Sequence, residues 1–93
     1  MNHITDDILR QAINEQGQVF DSHDVIERIS RLAPQEYALE LNRYASTDDP
    51  ILNLHRQIGR RIKTLRTLVR PRGKVSSKNI GGNDTANEEW EKV

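Results

Sequence analysis

The stretch on which the fold turns is Pro50-Ile-Leu-Asn-Leu-His-Arg-Gln-Ile-Gly-Arg-Arg-Ile-Lys-Thr-Leu-Arg-Thr-Leu68. Ile51, Leu54, Ile58, Ile62, Leu65 and Val69 recur at spacings of three or four. At about 100° per residue they share one narrow arc of a helix. Asp48 or Asp49 can cap that helix and Pro50 suits its first turn, so the spacing predicts a helix over 50–67. Opposite the apolar arc fall Asn53, Arg56, Arg60, Lys63, Thr64 and Thr67, with Gln57 and Arg61 at one margin and His55 and Arg66 near the other. One face can be buried while the other presents Asn, Gln, Arg, Lys and Thr. Those types read base edges and grip phosphates: Arg bidentate to guanine, Asn or Gln to adenine, Lys and Thr to the backbone. They also cover ordinary exposed helix faces.

The charge distribution sharpens the reading. From Arg56 to Lys78 the chain has nine basic residues (Arg56, Arg60, Arg61, Lys63, Arg66, Arg70, Arg72, Lys74, Lys78) and no acid. Residues 1–55 carry a net −6 and residues 79–93 a net −3, so the overall charge of zero hides a concentrated positive region. Such a region is the footprint of a polyanion-binding surface. A charge run is often only a solvated face, but sign segregation this complete exceeds what solubility requires.

Moving toward the N-terminus, Ala45-Ser-Thr-Asp-Asp-Pro50 is a loop of turn and capping residues. Tyr37, Ala38, Leu41 and Tyr44 suggest a short helix over 35–44, acidic at Glu36 and Glu40, with Leu39 off its apolar stripe. Pro34 ends the preceding helix, 22–33, whose start carries a capping box of Asp21 and Asp24 and a hydrophobic staple of Phe20 and Val25. Gln18-Val19-Phe20 reads as a short extended link. Thr5 caps a first helix over 5–16, with Asp6 and Asp7 at its dipole's positive end and Gly17 as its stop. Met1 to Ile4 reads as a disordered lead. Ile8, Ala12, Ile13, Val25, Ile29, Leu41, Ile58, Ile62 and Leu65 are the expected core.

Toward the C-terminus the period changes. Arg70-Pro-Arg-Gly-Lys74 reads as a connection, because Pro71 and Gly73 cannot continue a helix. Val75 to Ile80 alternates as a strand, Gly81-Gly82-Asn83-Asp84 is turn chemistry, and Glu88 to Val93, with Trp90, can return. Glu89 or Glu91 could pair across this hairpin, over about 74–93, with Lys74 or Lys78. The sequence thus predicts one domain, 1–93, mainly α with a small C-terminal β-hairpin.

Ninety-three residues with 34% apolar content make a small, polar domain. The chain has no cysteine, which removes disulfides and thiolate metal sites. His3, His23 and His55 lie far apart, so no metal is expected; each reads as solvated or capping. No nucleophile elbow, P-loop or paired-acid motif is present, and Gly81-Gly82 lacks a strand-turn-helix setting, so no enzyme, cofactor or small-molecule ligand is expected. Asn83-Asp-Thr85 matches a glycosylation acceptor but no signal peptide accompanies it. A cytoplasmic, non-membrane protein is the expectation.

The order of elements resembles a winged helix-turn-helix domain. The residues that carry the resemblance are Asp7-Ile-Leu-Arg-Gln-Ala-Ile13 with Gly17 and Phe20, Asp24-Val-Ile-Glu-Arg-Ile29, Ile58-Gly-Arg-Arg-Ile-Lys-Thr-Leu65, and Gly73-Lys-Val-Ser-Ser-Lys-Asn-Ile80 with Glu89-Trp-Glu-Lys-Val93. The chain departs from that pattern between Ala33 and Asp49, where a family member has a turn of about 3–4 residues; the short helix there is either an insertion or itself the family's third helix, and its acidity against the basic 50–67 segment favours an insertion. The resemblance implies duplex DNA as partner, with the basic helix in the major groove. Asn53, Arg56, Gln57 and Arg60 would meet base edges; Lys63, Thr64 and Thr67 would lie nearer the backbone. Arg70, Arg72, Lys74 and Lys78 would reach phosphates or the minor groove. Paired half-sites would require a homodimer, for which Leu39 and the acidic helix are candidates. The rival is a winged-helix scaffold that binds an acidic protein and no DNA.

Overall fold

Side-chain caps set where three of the helices begin. Thr5 Oγ1 accepts from the Ile8 amide at 3.3 Å, and Asp49 Oδ1 from the Leu52 amide at 3.2 Å. Asp21 and Asp24 form the full capping box, each carboxylate accepting the other's amide at 2.9 and 3.0 Å. In the computed structural model, which describes residues 1–93, the elements are α1 (Asp6–Asn14), β1 (Val19–Asp21), α2 (Ser22–Leu32), α3 (Pro34–Asn42), α4 (Pro50–Thr64), β2 (Val69–Lys78) and β3 (Asp84–Lys92).

The expectation of a mainly α chain with a small hairpin is overturned. Strand makes up 24% of the residues against 47% helix, and the domain is α+β. Two segments account for the difference. Val19–Asp21, expected as a link, pairs antiparallel with β3, setting Phe20 opposite Trp90. The stretch 70–74, expected as a connection, lies inside the ten-residue β2. The sheet order is β1-β3-β2, so β2 is an edge strand. An edge next to a bulge is where a sheet tolerates proline, and the register slips between Pro71 and Gly73. Gly73 adopts φ 119°, a value that favours glycine.

Helices α2 and α4 pack against this sheet, α1 packs on α2, and α3 packs on α2 and α4. The core joins Leu9, Ala12 and Ile13 of α1, Val25, Ile26 and Ile29 of α2, Leu54, Ile58 and Ile62 of α4, and Phe20, Val69 and Trp90 of the sheet. Ile8, Leu41 and Leu65, expected as core, are only partly buried at its margin. Ile51, expected on the buried arc, is exposed, because the first turn of α4 projects past the core.

The N-terminal lead, read from the sequence as disordered, is ordered by an acid of α3. Glu40 is fully buried. Its Oε1 accepts from the His3 and Ile4 amides at 2.8 and 3.1 Å, and its Oε2 from Arg43 at 2.9 Å. Ile4 is thereby held in the core. Gly17 does not stop α1 with a left-handed turn: the only positive φ values are at Gly73 and Gly82. Instead Lys92 Nζ donates to the carbonyls of Asn14 and Gln16 at 3.2 and 2.6 Å, closing the helix end with a cation from β3.

Candidate nucleic-acid interface

Burial of Leu54, Ile58 and Ile62 against α2 and the sheet fixes the rotation of α4 about its axis. The opposite face therefore points outward, as the wheel requires. Arg56, Arg60 and Lys63 are exposed on it, and none is within ion-pair distance of a carboxylate. Gln57 is half-buried beside them. Asn53, also half-buried, is partly committed: its Nδ2 donates to Thr47 Oγ1 at 3.0 Å. Thr64 is the last helical residue and its hydroxyl donates to the Arg61 carbonyl at 2.7 Å. The helix stops there, three residues short of the expected end, so Thr67 is exposed in the turn before β2 and does not share the α4 face.

The cations outside that face divide into two groups. Arg66 and Lys74 are exposed and unpaired, although Lys74 stands opposite Glu88. The others are neutralised within the chain. Arg61 bonds Asp6 of α1 at 2.7 Å. On the outer face of the sheet Arg70 bonds Glu91 at 2.7 Å, while Arg72 bonds Glu89 at 3.1 Å and Glu91 at 3.2 Å. Lys78 lies 3.6 Å from Asp84. Hydrogen bonding from Arg70, and then from Arg72, holds Glu91 below the ordinary carboxylate range. Glu89 and Glu91 thus do pair across the hairpin, but with Arg70 and Arg72, because the register sets Lys74 opposite Glu88 and Lys78 opposite Asp84. The positive field read from the sequence is cut to five uncompensated charges: Arg56, Arg60, Lys63, Arg66 and Lys74.

Some residues of this surface carry little signal in the sequence. Tyr44 and Thr47, from the chain between α3 and α4, lie beside Asn53, Arg56, Gln57 and Arg60 and wall a shallow hollow with them. Tyr44 repeats with the short helix's apolar residues and Thr47 sits among capping residues, so neither marks a site. His23, read as solvated or capping, fastens the start of α2 to the hairpin. Its amide donates to Asn87 Oδ1 at 3.0 Å, and its ring nitrogens lie 2.9 Å from Ser77 Oγ and 3.3 Å from Thr85 Oγ1. The hairpin is therefore anchored to the helical layer at its middle as well as at Trp90.

No family model, curated protein or solved structure matches the chain. No helix is long and apolar enough to cross a membrane.

Proposed function

We propose that this chain is a sequence-specific duplex-DNA-binding domain, a small transcriptional regulator or part of one, and that α4 is its recognition helix. The observation that carries the reading is the run of unpaired, exposed Arg56, Arg60 and Lys63 on a helix whose other face is buried at Leu54, Ile58 and Ile62. A rigidly held helix with a free cationic face suits insertion into the major groove. The order of elements, with a strand between α1 and α2 and a hairpin after the basic helix, supports the likeness to winged helix-turn-helix domains. The hairpin contributes less than the sequence suggests, because Arg70, Arg72 and Lys78 already face carboxylates.

The test is fluorescence anisotropy of the chain on a selected duplex and a scrambled one at several salt concentrations. If about five phosphates are met, log affinity falls with log salt at a slope near −4.5. Absence of binding at about 50 mM salt overturns the reading in favour of a protein-binding scaffold. Exposed Leu39, Ile51 and Leu52 favour that second reading, since apolar side chains there have no use in a phosphate-lined groove.

A further inference from the structure

The connection between α3 and α4 folds back along α4 and makes a hollow that α4 alone does not have. Tyr44 and Thr47 line it from the connection, and Asn53, Arg56, Gln57 and Arg60 from the helix. Thr47 is fixed there: its hydroxyl donates to the Tyr44 carbonyl at 2.7 Å and accepts from Asn53 at 3.0 Å. No carboxylate lines the hollow. Arg56 and Arg60 stand one turn apart, so their side chains are neighbours. The Tyr44 hydroxyl and the Gln57 carboxamide make no hydrogen bond within the chain. The hollow therefore offers two guanidinium forks, a phenol and an amide with their donors unspent, and no opposing negative charge. Guanine's groove edge offers two acceptors, enough for one guanidinium, whereas the oxygens of a phosphate can accept from both guanidiniums, the phenol and the amide together.

We propose that this hollow is a phosphate-binding subsite, in which Arg56 and Arg60 grip one backbone phosphate instead of reading bases. The source of the phosphate rests on the duplex-DNA reading above. The inserted α3 then belongs to the interface, because its exit carries Tyr44 to the phosphate. Base reading falls to Lys63, further along the same face, which can reach guanine in the groove.

Two measurements on the full chain separate the possibilities. In the first, the labelled protein is titrated with inorganic phosphate while the Arg56 and Arg60 Nε–H and Gln57 side-chain amide resonances are followed. Saturable shifts confined to those groups are expected, lost in Arg60→Gln and weakened in Tyr44→Phe, which keeps the ring. Linear shifts, or shifts spread equally over Lys63 and Arg66, overturn the subsite. In the second, Arg56→Gln and Arg60→Gln are compared on selected and scrambled duplexes. The expected loss is the same factor on both, with the salt slope reduced by about one unit. A loss confined to the selected duplex returns both arginines to base reading and overturns the proposal. Saturable phosphate shifts without duplex binding support the subsite while overturning the DNA reading, so the two failures are distinguishable.

Discussion

The indole N–H of Trp90 donates to the hydroxyl of Ser22 across 2.9 Å, joining residues 68 apart in sequence inside the core. Ser22 opens α2 and Trp90 sits on the central strand, so this bond locks the helical layer to the sheet. Helix α4 passes the same point, where a Cβ added at Gly59 would lie 4.0 Å from Ser22 Oγ. Ser22→Ala leaves the buried indole N–H without a partner, and the expected loss is about 1–3 kcal/mol. Urea unfolding followed by fluorescence of this single tryptophan measures it; a loss below about 0.5 kcal/mol would mean the bond is dispensable.

Ile62 is fully buried, whereas Leu65 is only partly so. Ile62→Ala should destabilise by about 2–5 kcal/mol, and Leu65→Ala by clearly less, because less apolar surface is lost and no closed cavity is left. Denaturant midpoints of the two variants check this. A larger loss at Leu65 would mean that α4 is rotated from the position described.

Glu91 holds both Arg70 and Arg72. If the sheet's edge approaches DNA, Glu91→Gln should tighten binding and steepen the salt slope by about one unit, since released guanidiniums become available to phosphates. Stability should change little, as these ion pairs are exposed to solvent. Anisotropy titrations that show unchanged affinity would exclude the outer face of the sheet from the interface.

Burial lowers the pKa of His55 from 6.5 to about 4, the His23 charge lowering it further and Asp49 opposing. Burial also pushes the Tyr37 phenol up, and its oxygen lies at hydrogen-bond distance, 2.7 Å, from His55 Nε2. The folded pKa of His55 lies below the unfolded one. The unfolded chain therefore takes up the extra proton first, and this contribution to stability is complete above pH 6.5 and shrinks as the pH falls toward 4. The slope in that window cannot exceed about 1.4 kcal/mol per pH unit. Denaturation series between pH 4 and 7 should show it in the wild type and not in His55→Gln. An unchanged slope in the variant would place the titrating group elsewhere.

Glu40 also acts on the acid side of neutrality. Its burial raises its pKa, but the His3 and Ile4 amides and the Arg43 guanidinium outweigh that and leave it below its ordinary value of 4.5. Stability from Glu40 is present above that value and is lost as the pH falls through the lower, folded one. Glu40→Gln should free the first four residues, read as faster amide exchange at Ile4. Unaltered exchange there would show that packing of Ile4 alone holds the lead.

By itself the sequence determined the features that depend on near neighbours along the chain. The caps at Thr5 and Asp21, a cap at Asp48 or Asp49, the start of α3 at Pro34 and the rotation of α4 were legible because each rests on contacts within about one helical turn. The exposed Arg56, Arg60 and Lys63 follow from that same local periodicity. Only the tertiary structure decided that Val19–Asp21 is a strand, since three residues have no strand identity until β3 supplies the partner hydrogen bonds. It alone decided that Glu40 is buried, that Gly73 sits in a bulge, and that Arg61, Arg70, Arg72 and Lys78 are neutralised. A count of charges along the chain sees every cation equally. Which of them keep their field depends on carboxylates brought alongside by sheet register and helix packing, and apart from the short hairpin pair Lys78–Asp84 these lie 17 or more residues away.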